Sequence, residues 1–260
     1  MLRVAANLGF FYNKLPLLER FAAAAKDGIK AVEFMPDYKD NGPETFRKVL
    51  EDNSLTAALF NSPAGNWPGG ERGLVGLPER EAEFLEAVKT TIEYAAAVKC
   101  PRTNFTAGIV PAGTSWDKVS GLLVERYKYV ADQCAPHNIT VLVEHMNAFD
   151  VPGYCVDTPS KALEIVKKVN KPNMKIQYDI YHAQRSEGEL VRFMRDNLEY
   201  VDHIQIADNP ARNQPGTGEI NYDFIFAELE RLNYQGWVGL EYKPTPNAGA
   251  SLGWMKKWKK

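Results

Sequence analysis

A single closed (β/α)8 barrel spanning residues 1–260 is the fold class this sequence predicts, and three observations predict it. Short apolar, β-branched runs alternate eight times with longer stretches of helical composition, and no compositional break divides the chain. The length of 260 residues is close to the ~250 typical of such a barrel. Four of the runs climb to a polar residue at the carboxyl end, which is where barrels of this kind carry their sites: Ile139 to Glu144, Met174 to Asp179, Val201 to Gln205 and Gly236 to Glu241. The alternative is an open doubly wound sheet, but no GxGxxG follows the first strand, so a dinucleotide site has no support.

In chain order, the first strand begins at Arg3 and ends near Asn7, and the alanines and leucines of Pro16 to Lys26 favour a helix that Gly28 terminates. The strand Ala31 to Met35 leads to a helix with Pro43 near its first position and its end near Asn53. Thr56 to Asn61 is the third strand. After it the pattern breaks into a Gly- and Pro-rich loop, Ser62 to Gly73, which is either a plain surface excursion or a lid over a site that uses Trp67 and Arg72. An amphipathic helix from Pro78 to Lys99, a strand from Arg102 to Gly108 and a helix from Ser115 to Cys134 follow. Thr158 and Pro159 cap a helix running to about Val169, and the next strand is expected to carry both Asp179 and His182. Helices over Glu189–Asn197 and Tyr222–Leu232 flank the strand ending at Gln205, and a short helix near Trp258 closes the chain beside the basic cluster Lys256, Lys257, Lys259 and Lys260.

Composition narrows the partners. With 31 basic and 33 acidic residues and a net charge of −2, the chain has no electrostatic footprint for nucleic acid. No apolar run approaches the ~20 residues that span a bilayer, and the first strand begins almost at once, so neither a membrane nor a secretory leader is indicated. Cys100, Cys134 and Cys155 form no CxxC pair, which fits a reduced cytoplasm better than a disulfide framework. The expected partner is a small-molecule substrate; a homo-oligomer stays open.

If the four strands lie side by side, their last inward residues form one ring. Three carboxylates and an amide oxygen, from Glu144, Asp179, Glu241 and Gln205, then make a hard-oxygen cage suited to Mg²⁺ or Mn²⁺ rather than Zn²⁺. Counting back by two places Gln177 and His203 one layer below, as partners that orient the residues above, while Gly239 leaves space beneath Glu241.

The set Asn61-x-Pro-x-Gly, Gly70-Glu71-x-Gly73-Leu74, Val143-Glu144, Asp179-x-x-His182-x-Gln184, His203-x-Gln205-Ile, Gly218-Glu219-Ile-Asn-Tyr222 and Gly239-x-Glu241-Tyr-x-Pro244 resembles the hydroxypyruvate isomerase family, in order from the first strand to the last. That family belongs to the xylose isomerase-like barrels. The resemblance implies a divalent metal on Glu144, Asp179, Gln205 and Glu241, with the two glutamates as the proton donor and acceptor pair. Related sugar epimerases usually have histidine where this chain has Gln205, so the amide favours the hydroxypyruvate branch. One departure is His145, where the family pattern would place proline directly after the glutamate.

Moving a carbonyl to the neighbouring carbon requires removing a proton next to it and returning one next door, through an enediolate whose charge must be held. A divalent cation supplies that as a Lewis acid, and two carboxylates can flank the substrate. A 2-oxo acid also brings its own carboxylate, for which His182, Arg212 and Lys243 are the candidate cations; resemblance to the epimerases favours His182 and Arg212. Arg72 would join them when the loop closes. The expected reaction is hydroxypyruvate to tartronate semialdehyde, with 2-oxo-tetronate isomerase and ketose 3-epimerase as alternatives. An endonuclease IV-like repair enzyme is a remote one, because such enzymes use a histidine-rich metal cluster and a basic groove, and this chain has four histidines and no basic excess.

Overall fold

The computed structural model describes residues 2–258 and forms a closed barrel of eight parallel strands in the order β1 to β8. The strands are β1 (Arg3–Asn7), β2 (Ala31–Phe34), β3 (Thr56–Asn61), β4 (Arg102–Asn104), β5 (Thr140–Glu144), β6 (Met174–Asp179), β7 (Val201–Ile206) and β8 (Trp237–Leu240). Closure is made by β1 against β8, with Val4 opposite Val238 and Ala6 opposite Leu240. Strands packed on both faces read as nearly continuous apolar runs, and β2 is buried at all four positions.

The outer ring contains α1 (Leu17–Lys26), α2 (Pro43–Asp52), α3 (Glu81–Val98), α4 (Trp116–Cys134), α5 (Pro159–Val169), α6 (Ile180–Ser186), α7 (Leu190–Asn197) and α8 (Tyr222–Arg231), and a short α9 (Ala248–Ser251) follows β8. Their starts carry readable local chemistry. Ser115 accepts a hydrogen bond from Lys118 N and Thr158 one from Lys161 N, each satisfying an amide that the first helical turn leaves without a partner. The main core lies between helices and strands and includes Phe21, Phe46, Tyr127, Val143, Ile165 and Phe226. A separate small cluster of Ala5, Ala31 and Ala58 against Trp237 lies on β1, β2, β3 and β8.

Two expectations change in detail. The fourth strand stops at Asn104 instead of Gly108, because the chain beyond it packs against the loop after β3. Gly73 pairs with Ala107 in an antiparallel bridge there, and a Cβ on Gly73 would fall 2.0 Å from Thr106 O. His182 is not on a strand. β6 ends at Asp179, whose Oδ1 accepts from Tyr181 N and His182 N and so caps α6, which begins at once. At the C-terminus Lys257 pairs with Asp223, while Lys259 and Lys260 lie outside the described residues. Among the described residues no helix is long and apolar enough to cross a membrane.

Candidate active site

Barrel closure brings Glu144 at the end of β5, Asp179 at the end of β6, Glu241 just after β8 and His182 in the first turn of α6 to one place. One ligand atom from each lies within 4.8 Å of all the others. Glu144 and Asp179 are buried, and the Glu241 side chain is 14% exposed.

Each glutamate is held by an asparagine. Asn104 at the end of β4 donates from Nδ2 to Glu144 Oε2 at 2.7 Å, and Asn7 at the end of β1 donates from Nδ2 to Glu241 Oε1 at 3.1 Å. These asparagines obey the same rule as the four predicted endings, a polar residue closing a strand; applying it to β1 would have found Asn7, whereas Asn104 is missed because the fourth strand is expected to run on to Gly108.

The electrostatics follow from crowding. Burial, then the neighbouring Asp179 carboxylate, push the Glu144 carboxyl up to about 8. Burial also pushes Glu241 well above the usual carboxylate range, although the Arg212 guanidinium works against it. Arg212 donates from Nη2 to Glu241 Oε2 at 2.7 Å and to Asp179 Oδ2 at 3.4 Å, and its guanidinium carbon lies over the rings of Phe10 and Tyr181, 4.8 Å from each centroid. Burial alone would lower its pKa; the carboxylates of Glu241, Asp179 and Glu144 reverse that and raise it. The loop that presents it is built around buried Asp208, whose Oδ2 accepts from the backbone N–H groups of Gly216, Thr217 and Gly218 and whose Oδ1 accepts from Ile220 N. Arg212 itself has φ +57°, an uncommon backbone state for a residue other than glycine, of the kind that collects at functional sites.

His182 is brought to the cluster, but not as a cation. Its Nδ1 faces two donors, the backbone N and the Nδ2 of Asn147, at 3.2 and 2.6 Å, so the ring proton sits on Nε2, which points to Asp179 Oδ2 at 3.6 Å. Burial and the nearby Arg212 charge hold its pKa well below the ordinary value, and the imidazole is neutral. His145 is neutral too, pushed down to about 3 by burial, and packs against Tyr178 at 5.4 Å.

Gln205 pairs with Asp179 in the β6–β7 register. Its Oε1 accepts from Gln177 Nε2 at 2.6 Å, and its Nε2 donates to Glu33 Oε2 at 2.7 Å. Lys243 and Arg72 are not brought to the cluster. Lys243 is exposed, and only its backbone touches the site's loop, with its N donating to Arg212 O. Arg72 stays within its own loop, donating to the carbonyls of Trp67 and Glu71 and stacking on the Trp67 ring at 4.3 Å.

The donor set suits a divalent cation. Three carboxylates crowd a single guanidinium in a buried space, the crowding that raises Glu144 and Glu241, and a divalent cation among them would offset it. Oxygen donors of this kind favour hard cations, and His182, whose Nδ1 is taken by Asn147 and whose Nε2 carries the proton, stands beside them as a hydrogen-bond donor.

A family model described as xylose isomerase-like TIM barrel matches residues 21–258. The chain is 44% identical to hydroxypyruvate isomerase of Escherichia coli (strain K12), over 100% of this chain and 100% of that one. It is 40% identical to 2-oxo-tetronate isomerase of Cupriavidus necator over 99% of each. A solved structure described as AP endonuclease, family 2, from Brucella melitensis superposes on it with a TM-score of 0.95 and 39% identity, covering 100% of both chains.

Proposed function

Starting from the premise that this chain belongs to the hydroxypyruvate isomerase family of xylose isomerase-like TIM barrels and is an isomerase, we propose that it converts hydroxypyruvate to tartronate semialdehyde (2-hydroxy-3-oxopropanoate) in a metal-dependent reaction. The observation that carries this reading is the pair of asparagine-held glutamates, Glu144 at the end of β5 and Glu241 just after β8, each with a carboxylate oxygen within 4.8 Å of one on Asp179 and of one on the other.

Glu144, Asp179, Glu241 and Gln205 would hold Mg²⁺ or Mn²⁺, which when bound supplies Lewis-acid stabilisation of negative charge on the substrate's oxygens. The rest is work for the chain's own groups. One glutamate takes a proton from C3 of hydroxypyruvate, giving an enediolate. The other returns a proton to C2, and the carbonyl passes to C3 as the C3 hydroxyl gives up its proton and the C2 oxygen gains one. Arg212, fixed by Phe10, Tyr181 and the Asp208-centred loop, is the cation for the substrate carboxylate, and a planar guanidinium suits two oxygens at once. His182, with its proton on Nε2, donates a hydrogen bond instead of a charge.

Isomerisation of a four-carbon 2-oxo acid is the second reading. The 2-oxo-tetronate isomerase relative supports it. An endonuclease reading has less support, since the cluster holds three carboxylates and one histidine, and the net charge is −2.

The test is a substrate panel with protein stripped of metal and then reloaded with Mg²⁺ or Mn²⁺. Reloaded protein should isomerise hydroxypyruvate, the four-carbon acid, or both, and leave ketohexoses unepimerised, while chelator should abolish the activity. Full activity after exhaustive chelation, stoichiometric zinc in the active protein, or turnover of ketohexoses alone would contradict it.

A further inference from the structure

Below the acid cluster the barrel interior holds a polar group that the reaction does not use. Glu33, on β2, is fully buried in an apolar strand. Its Oε2 accepts from Gln205 Nε2 at 2.7 Å and lies 3.3 Å from His203 Nε2 without a hydrogen-bond angle, and its Oε1 has no partner. Among the described residues, no lysine or arginine pairs with it. A buried carboxylate in that condition is costly to keep, so a role that needs it is worth identifying.

Space has been left for it. A Cβ at Gly239 would stand 1.6 Å from Glu33 Oε1 and 2.9 Å from Gln205 Cγ, so any other residue there would displace both side chains. Glycine at 239 therefore accommodates the Glu33–Gln205 pair.

The two ends of a side-chain amide have nearly the same shape and opposite chemistry. The oxygen has lone pairs to give to a cation, and the NH2 has none. Sterics do not choose between them; hydrogen-bond partners do. A carboxylate accepts only, so Glu33 takes the NH2 end of Gln205 and leaves Oε1 as the end that faces elsewhere. There it carries one hydrogen bond, from Gln177, and keeps a second lone pair. We propose that Glu33 is a positioning residue that fixes the Gln205 amide with its oxygen available as a metal ligand, and so sets metal affinity. This rests on the metal reading given above.

The experiment is Mn²⁺ binding by the full-length, metal-stripped protein, followed by loss of the free-ion electron paramagnetic resonance signal, with no substrate present. Glu33→Gln keeps the shape but can offer an NH2 to Gln205 and let its amide turn over. Its Mn²⁺ dissociation constant should rise ~10- to 100-fold, as expected for partners behind a metal ligand. The double variant Glu33→Gln/Gln205→Glu exchanges donor and acceptor. It should bind Mn²⁺ within about threefold of the unaltered protein, because the two changes are coupled. Because a carboxylate at 205 strengthens Mn²⁺ binding by itself, the reading is the coupling: Glu33→Gln should weaken binding with Gln205 in place and should not weaken it in the Gln205→Glu background, a difference that a residue needed only for packing would not show.

Unchanged affinity in folded Glu33→Gln overturns the proposal, as does a double variant that binds no more tightly than Glu33→Gln. If Glu33→Gln does not fold, the double variant is read against Gln205→Glu alone: Mn²⁺ binding tighter than in that single variant supports the proposal, and equal or weaker binding, or failure of the double variant to fold, overturns it. Absence of Mn²⁺ binding by the unaltered protein would sink the metal reading and this proposal together. Normal binding there with no effect of Glu33→Gln sinks only this one.

Discussion

At the scale of single residues the site depends on which group each carboxylate meets. Asn104 and Asn7 direct one oxygen each of Glu144 and Glu241, and Arg212 takes the other oxygen of Glu241. A hydrogen bond to a charged group contributes about 1.5–3 kcal/mol, so Asn104→Ala or Asn7→Ala should lower kcat at least ~10-fold with a smaller change in KM. An unchanged kcat in steady-state assays would show that the amides do not orient the glutamates. The cysteines should be chemically silent. Burial pushes the thiols of Cys100, Cys134 and Cys155 up to about 12. The folded state thus keeps protons that the unfolded chain releases near 9.0, and stability contributed by these groups is lost as pH rises from that value toward 12. At pH 8 a thiol reagent should modify none of the three in native protein and all three in denaturant; rapid native labelling would contradict the burial.

At the scale of elements, what the sequence makes legible follows from periodicity. Parallel strands buried on both faces appear as β-branched runs, and the positions of all eight strands and most helices follow from that, as do the strand-end acids Glu144 and Asp179. Elements set by tertiary contact do not appear. β4 is cut short by the approach of Gly73 to Thr106, 33 residues apart in sequence, and α6 was hidden because Asp179 is both a strand end and a helix cap. Glu33 interrupts an apolar run with no local sign of what it meets, since Gln205 is 172 residues away. The loop from Pro63 to Gly73 belongs at this scale too. Glu71 ties it to Asn66 N and Arg80, and Arg72 stacks on Trp67, so Arg72 must leave the indole to reach a substrate. Closure over a bound substrate analogue should therefore change Trp67 fluorescence, read against a Trp67→Phe control. No change at saturating analogue would rule out closure that engages Arg72.

At the scale of the molecule, the barrel converts sequence separation into proximity. Glu144 and Glu241 are far apart along the chain, and closure of β8 onto β1 sets Glu241 beside Asn7 while β5 and β6 deliver Glu144 and Asp179. The eight-stranded frame holds these groups with the C-terminal ends of its strands facing one mouth, which is why loop changes in such barrels alter substrate more readily than reaction type. The central claim is that the two glutamates exchange protons with adjacent carbons. It is tested most directly by nuclear magnetic resonance of hydroxypyruvate in deuterated water with Glu144→Gln and Glu241→Gln, metal content confirmed in each. Each variant should lose isomerisation by at least ~10²-fold, the usual share of an acid-base group. The variant lacking the acid that returns the proton should still exchange deuterium into C3, while the variant lacking the base should do neither. Near-normal isomerisation by either variant would remove that glutamate from the proton path and contradict the account.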